Sequence, residues 1–209
     1  MADRILLIIR SSFEAKVITN SLTFNGFAVT TESSDMTRAK QLATTTKFDS
    51  LVIELTDRKS LDFAKNVRRI ANGMGIVFIA PIYDLRLFGI SIEEFPVGSQ
   101  IIYKPDISNF ELLIDAIRDS NKMGVKTQWV NPPKTNTTDE LTDIQVETLR
   151  MIVEGFTNKE IGKHEFVSEK AIEQRIGRLA SVLGITCSNG QNLRVKLATK
   201  YVNWTNGRI

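Results

Sequence analysis

Over its first 120 residues the chain alternates short apolar runs with amphipathic stretches, and few architectures can bury both. Apolar runs at residues 5–9, 28–31, 51–55, 76–79 and 101–103 are separated by helical-period stretches at 13–24, 36–44 and 61–70, a shorter piece around 85–94, and 110–120. Strands that are apolar throughout have no solvent face, so they belong in a sheet covered on both sides. Five such strands interleaved with five helices predict an α/β fold, a doubly wound (βα)5 parallel sheet. Residues 121–140, NKMGVKTQWVNPPKTNTTDE, break the pattern, because Pro132-Pro133 and scattered Thr and Asn leave neither helical nor strand periodicity. Beyond them only helical periods recur. The expected organisation is an N-terminal domain at 1–120, a linker at 121–139 and an all-α, four-helix domain at 140–209.

Charge is unevenly divided between these parts. Residues 1–122 carry 15 basic and 15 acidic groups, whereas residues 123–209 carry 12 and 9. From Phe166 onward Lys170, Arg175, Arg178, Arg194, Lys196, Lys200 and Arg208 face only Glu169 and Glu173. A polyanion partner would meet this end, although a similar excess occurs on ordinary solvated helices. One cysteine, Cys187, and one histidine, His164, leave no disulfide framework and no metal-ligand cluster. His164, between Lys163 and Glu165, reads as a surface or boundary residue, and Trp129 and Trp204 as packing anchors. With no Gly-rich phosphate loop and no nucleophile elbow, neither enzyme activity nor a cofactor is expected. The apolar run after Met1-Ala2-Asp3-Arg4 is too short for a signal peptide or membrane span, which points to the cytoplasm and away from a membrane partner.

In the C-terminal part Leu141-Thr142-Asp143 opens a helix on which Val146, Leu149, Ile152 and Val153 keep helical spacing, and Gly155 stops it. Thr157-Asn158-Lys159-Glu160 then reads as a capping box. Phe166-Val167 closes this second helix, and Ser168 is a good N-cap for a third at about 169–183, with a last helix at about 193–201. Two short helices meeting at a tight turn, the second basic, form a helix-turn-helix. On the third helix Ile172, Ile176, Leu179 and Leu183 face the core, so Lys170, Glu173, Gln174, Gly177, Arg178 and Ser181 point outward. Glu173 and Gln174 would reach base edges, Lys170 and Arg178 phosphates, and Gly177 would let the backbone approach closely. A plain solvated face is the alternative.

Leu141-Thr142, Leu149, Gly155, Thr157-Asn158-Lys159-Glu160-Ile161, Ser168, Ile172, Ile176 and Leu183-Gly184-Ile185 together resemble the LuxR-type helix-turn-helix of NarL/FixJ response regulators, over about residues 140–198. The resemblance implies a DNA-binding domain that often dimerises through its last helix, with the third helix as recognition helix. The DNA-facing set is then Thr157, Asn158, Lys159, Ser168, Lys170, Glu173, Gln174, Gly177 and Arg178. Two departures stand out. Where the family usually has Thr-Val-Lys-x-His this chain has Ala171-Ile172-Glu173-Gln174-Arg175, and Glu165 stands where a core leucine is common, with Phe166 expected to take over its volume.

The N-terminal domain resembles the receiver that precedes this kind of helix-turn-helix, on its alternation and on Lys104-Pro105 directly after the fifth strand. A working receiver needs carboxylates for a divalent cation, a phosphoryl-accepting aspartate, a hydroxyl and a lysine. Here Ile9-Arg10-Ser11-Ser12 stands at the paired acids, Glu54 at the acceptor, Ala80 at the hydroxyl and Ile101 at the aromatic switch; Lys104 alone is kept. The resemblance therefore implies a degenerate receiver in which phosphoryl transfer lacks chemical support. Glu54 beside Lys104 or Arg10 would form a permanent ion pair; alternatively both are remnants in a domain kept for dimerisation. Leu87, Phe88 and Ile92, with Ile90 and Phe95, are candidates for a homodimer surface rimmed by Asp84, Arg86, Glu93 and Glu94, or are simply core.

The reading as a whole is a homodimeric regulator of transcription that binds double-stranded DNA and works without aspartate phosphorylation. The rival is a protein-interaction module that sequesters or tunes another regulator or RNA polymerase.

Overall fold

The computed structural model describes residues 2–32, 36–106, 110–122, 124–133, 138, 140–188 and 190–205. Residues 123, 134–137 and 139 of the expected linker, and Arg208 of the basic tail, lie outside them. The chain divides into two compact units, Met1–Tyr83 with Ser91–Pro133, and Asp84–Ile90 with Lys134–Ile209. Among the described residues no helix is long and apolar enough to cross a membrane.

The first unit is the doubly wound sheet. Strands β1 (Arg4–Ile8), β2 (Ala28–Glu32), β3 (Ser50–Glu54), β4 (Gly75–Ala80) and β5 (Gln100–Tyr103) are all parallel, and they lie in the order β2-β1-β3-β4-β5. Helices α1 (Ser12–Phe24), α2 (Met36–Thr45) and α3 (Arg58–Ile70) connect the first four, and α4 (Glu111–Ser120) follows β5. The apolar runs give β3 and β4 strands that are buried at every residue, as a sheet covered on both faces requires. One core joins Ile5, Leu7, Val52, Val77 and Ile102 of the strands to Leu22, Leu113 and Ile117 of the helices.

Local signals fix the helix starts. Ser11 caps α1 by accepting from Glu14 N, and Asp57 caps α3 in a reciprocal box with Ser60. The piece expected to be helical at 85–94 is two 3-10 turns, Leu85–Phe88 and Ile92–Glu94. The first of them is grouped with the second unit.

The sheet has a sixth strand, β6 (Gln128–Trp129), built from residues that the sequence reads as linker. Gln128 N donates to Ser99 O and Val130 N to Ile101 O, and the Asn131 side chain brackets the Tyr103 peptide, accepting from its N–H at 2.7 Å and donating to its carbonyl at 3.0 Å. Trp129 is a packing residue, its ring tilted against Tyr83 at 4.5 Å.

The second unit is helical: α5 (Asp143–Val153), α6 (Asn158–His164), α7 (Glu169–Val182) and α8 (Leu193–Thr205). Thr142 with Gln145, and Thr157 with Glu160, form capping boxes at α5 and α6, and Ser168 caps α7 by accepting from Ala171 N. Gly155 ends α5 with φ of 92°, a conformation that costs glycine nothing. Its core gathers Leu141, Val146, Leu149, Ile161, Ile172, Ile176, Leu179, Leu197 and Trp204, all buried.

The segment Asp84–Ile90 belongs to this unit and packs on α5. Arg86 is its anchor. The guanidinium chelates Asp84 at 2.9 and 2.8 Å and also donates to Asp143 at 2.7 Å and to the carbonyls of Leu141 and Thr138. Tyr201 of α8 donates to Leu87 O at 2.7 Å. Leu87 and Phe88, offered above as homodimer residues, are buried at 1% and 8% exposure, and Ile92 is half-buried. A dimer surface made of Leu87 and Phe88 would require this anchored segment to be withdrawn, because they have almost no area left to give a partner.

Candidate functional site

The face of α7 is decided by its apolar stripe. Ile172, Ile176 and Leu179 are 0%, 5% and 0% exposed, and each such burial stabilises by about 1.5–3 kcal/mol. With that stripe inward, Lys170, Glu173, Gln174, Gly177 and Arg178 are all exposed on the opposite side, together with the N-cap Ser168. No neighbouring atom lies within 4 Å of where a Cβ on Gly177 would be, so the backbone there is open to approach. At the other short helix Thr157 and Lys159 are exposed and Asn158 is half-buried. Asn158 Oδ1 accepts from Arg194 of α8 at 2.5 Å, which ties that side chain down.

The basic excess of the C-terminal part is largely committed internally. Arg175 pairs with Glu165, Arg194 donates to Asn158 and to Phe156 O, Lys196 to Thr186 O, and Lys200 lies over the Trp204 ring. Burial pulls the Arg194 pKa below its ordinary value. Lys170 and Arg178 have no such partner among the described residues, which leaves them as the two cations of this part of α7 able to meet an external anion.

The turn between α6 and α7 corrects one expectation. Phe166 does not fill the place of a core leucine; it is 95% exposed, and its φ of 58° turns the side chain outward. Glu165 stays inside as the C-cap residue of α6, 15% exposed, and pairs with Arg175, 20% exposed. Arg175 also donates to Thr148 of α5 at 3.1 Å. The two departures from the family pattern, Glu165 and Arg175, are thus halves of one ion pair. Gly162 allows the tight turn: a Cβ there would meet Val167 O at 2.7 Å, while Val167 N donates to Gly162 O at 2.9 Å.

In the first unit the relevant positions converge at the carboxyl ends of β1 and β3, the switch point where this strand order leaves a crevice. Glu54, 6% exposed, accepts from Lys104 Nζ at 2.8 Å and from Arg10 N at 3.1 Å. Lys104 also donates to Glu14 at 2.7 Å. Burial lowers the Lys104 pKa, but the hydrogen bonds to Glu14 and Glu54, reinforced by their charges, outweigh it and the net shift is upward. Ile9 and Ala80 are buried at 1% and 0%, and Ile101 at 0%, so they supply apolar walls and no ligand oxygen. Arg10 brings its backbone N–H and keeps its side chain exposed.

Sequence reasoning brought Glu54 and Lys104 together but missed Glu14, which lies on α1 and ninety residues away along the chain. The hint was its position in the first turn of α1, three residues past Ser11, just after the end of β1. Among the described residues no three His, Cys, Asp or Glu side chains gather as a metal-ligand group. Two carboxylates bridged by one ammonium are what this cluster holds.

Residues 139–187 match the model of the family described as bacterial regulatory proteins, luxR family. No curated protein matches the chain in sequence. Solved structures match its fold over nearly its whole length. One is the complex of the two-component response regulator RcsB with DNA, 16% identical, with 98% of this chain and 99% of that chain covered at a TM-score of 0.55. A second holds two RcsB dimers bound to two parallel DNAs, 18% identical, with the same coverages of 98% and 99% and a TM-score of 0.56. A third is RcsB from Salmonella enterica serovar Typhimurium bound to promoter P1flhDC in the presence of phosphomimetic BeF3-, 16% identical, 98% and 99% covered, TM-score 0.56. Helices α6 and α7, the second of which presents Gln174 and Arg178, are therefore a LuxR-type helix-turn-helix within residues 139–187, in a chain whose fold matches solved response-regulator structures.

Proposed function

We propose that this chain is a cytoplasmic, DNA-binding regulator of transcription, acting as a homodimer, whose receiver-like unit is held in one state by the Glu14–Lys104–Glu54 ion cluster and not set by aspartate phosphorylation. The observation that carries the DNA-binding part is the outward face of α7 within the luxR-family match, where Gln174 and Glu173 stand between Lys170 and Arg178. Gln174 has the geometry to read an adenine edge, and Glu173 accepts from a cytosine amino group, while Lys170 and Arg178 supply phosphate contacts.

Selection from random duplex DNA by the purified full-length protein tests this. The expected result is enrichment of a two-half-site palindrome. Gln174→Ala changes the preferred base at one position of each half-site, a loss of about 1–3 kcal/mol, whereas Lys170→Ala weakens all sequences alike and reduces the salt slope by about one. No enrichment at either low or physiological salt overturns the reading and favours a module that binds another regulator.

The lock is supported by the burial of Glu54 and by its bond to Lys104, which occupies the cation needed to sense a phosphoryl group. Incubation with a small phosphodonor and Mg2+ is expected to leave DNA affinity and the protein's mass unchanged. Glu54→Gln, in contrast, alters DNA affinity or the monomer–dimer equilibrium measured by sedimentation. A stoichiometric acid-labile phosphoryl group, or a Glu54→Gln variant identical to wild type in both properties, would sink the lock and leave the DNA-binding reading standing.

A further inference from the structure

Beside the ion cluster, α1 and α4 leave a cleft with a volume of about 200 Å³ in the first unit. Its walls are apolar: Phe13 and Val17 from α1, Leu113 from α4, Phe110 just before it, and Ile79 beneath. Two of these are left in water, Phe13 at 76% and Val17 at 40% exposure. Among the described residues, the only charged groups in the lining are Glu14 and Lys104.

We propose that this cleft binds a small apolar monocation, of the size of one aromatic ring carrying a short alkylammonium arm. Size sets the first half of the assignment. An apolar cavity of about 150 Å³ accommodates benzene, so this cleft takes one ring with a few further atoms and is too small for a nucleotide or a multi-ring ligand.

Charge sets the second half. Lys104 carries the single positive charge between two carboxylates, so among the described residues this cluster at the polar end of the cleft is one negative charge in excess. Arg10 does not reverse this, because its side chain is exposed and absent from the cleft lining. Glu54 is buried and uses both oxygens, on Lys104 and on Arg10 N. Glu14 is 39% exposed and uses Oε2 on Lys104, while Oε1 has no partner among the described residues. An entering ammonium completes Glu14 and neutralises the cluster; an entering carboxylate would have to displace Glu14 from Lys104 and stand beside buried Glu54. The ring covers Phe13 and Val17, whose exposed apolar area supplies the hydrophobic part of the affinity. This assignment does not depend on DNA binding.

The test is titration of the full-length protein with 2-phenylethylamine, followed by calorimetry and by amide chemical shifts, with phenylacetate as the isosteric anion. The amine is expected to bind saturably at one site, with a dissociation constant on the order of 1 mM or tighter. Shifts should concentrate in α1 and α4, and phenylacetate should bind at least about tenfold more weakly. Glu14→Gln should weaken the amine by about tenfold, and Val17→Trp, at a position exposed enough to accept the larger side chain, should abolish binding by filling the cleft. Absence of saturable amine binding overturns the proposal. So does equal or tighter binding of phenylacetate, and so does amine binding that neither Glu14→Gln nor Val17→Trp changes.

Discussion

Replacing Glu165 with alanine lowers the stability of the helical unit by about 3–5 kcal/mol, a larger loss than any surface substitution on α7 produces. The reason lies in what the substitution leaves behind. Arg175 is 20% exposed, and without Glu165 its described hydrogen bonding is reduced to the Thr148 hydroxyl, itself buried and already donating to Ile144 O at 2.7 Å. A guanidinium with that one acceptor pays most of its desolvation uncompensated. Arg175→Leu fails for the mirror reason, because Glu165 Oε1 already lacks a hydrogen bond among the described residues and the other oxygen would lose its cation. The double replacement Glu165→Leu with Arg175→Leu removes both charges and supplies the leucine volume that Phe166 does not provide. It should recover to within about 1 kcal/mol of wild type or exceed it. Urea denaturation followed by the fluorescence of buried Trp204, in a Trp129→Phe background, reads the unit that matters. A Glu165→Ala loss below about 1 kcal/mol would mean a screened pair of little consequence, and the double-mutant coupling would then vanish.

That pair also marks the limit of what the sequence reveals. The alternation of apolar runs, the helix start at Leu141-Thr142-Asp143, the capping box at Thr157 and the N-cap Ser168 are local signals, complete within about four residues, and they appear where expected. Glu165 and Arg175 each look like an isolated departure, and volume reasoning alone handed the missing leucine to Phe166. A positive φ at the turn, invisible in a residue list, sends Phe166 into solvent instead. Strand β6 is two residues long, too short for any period, and it exists because Ser99, just before β5, and Ile101 within it offer their carbonyls. The apolar group at 87–92 could be read equally as core or as surface, since composition does not say which neighbour covers it. In the charged cluster Glu54 and Lys104 were legible as positions on strand ends, but Glu14 needed the packing of α1 over those ends.

Lys104→Met should cost the sheet unit about 3–5 kcal/mol near neutral pH, with a pH dependence that identifies the cause. Glu54 would keep the Arg10 N–H and lose its cation while remaining buried at 6% exposure. Burial draws the Lys104 pKa down, and its bonds to Glu14 and Glu54 raise it further than burial lowers it, so the folded value lies above that of a free lysine. A group whose folded pKa is raised contributes fully below its unfolded pKa of about 10.4 and loses that contribution as pH climbs through the folded value. Wild type should therefore weaken on approach to strongly alkaline pH through a term that the methionine variant never had. The stability gap between the two should be constant from neutral pH to about 10 and then narrow. Adding Glu54→Gln to Lys104→Met removes the stranded carboxylate and should restore a large part of the loss at neutral pH. A gap that stays constant through the alkaline range would assign the effect of Lys104 to the packing of its methylene stem, and the cluster would then have no claim to hold the unit in one electrostatic state.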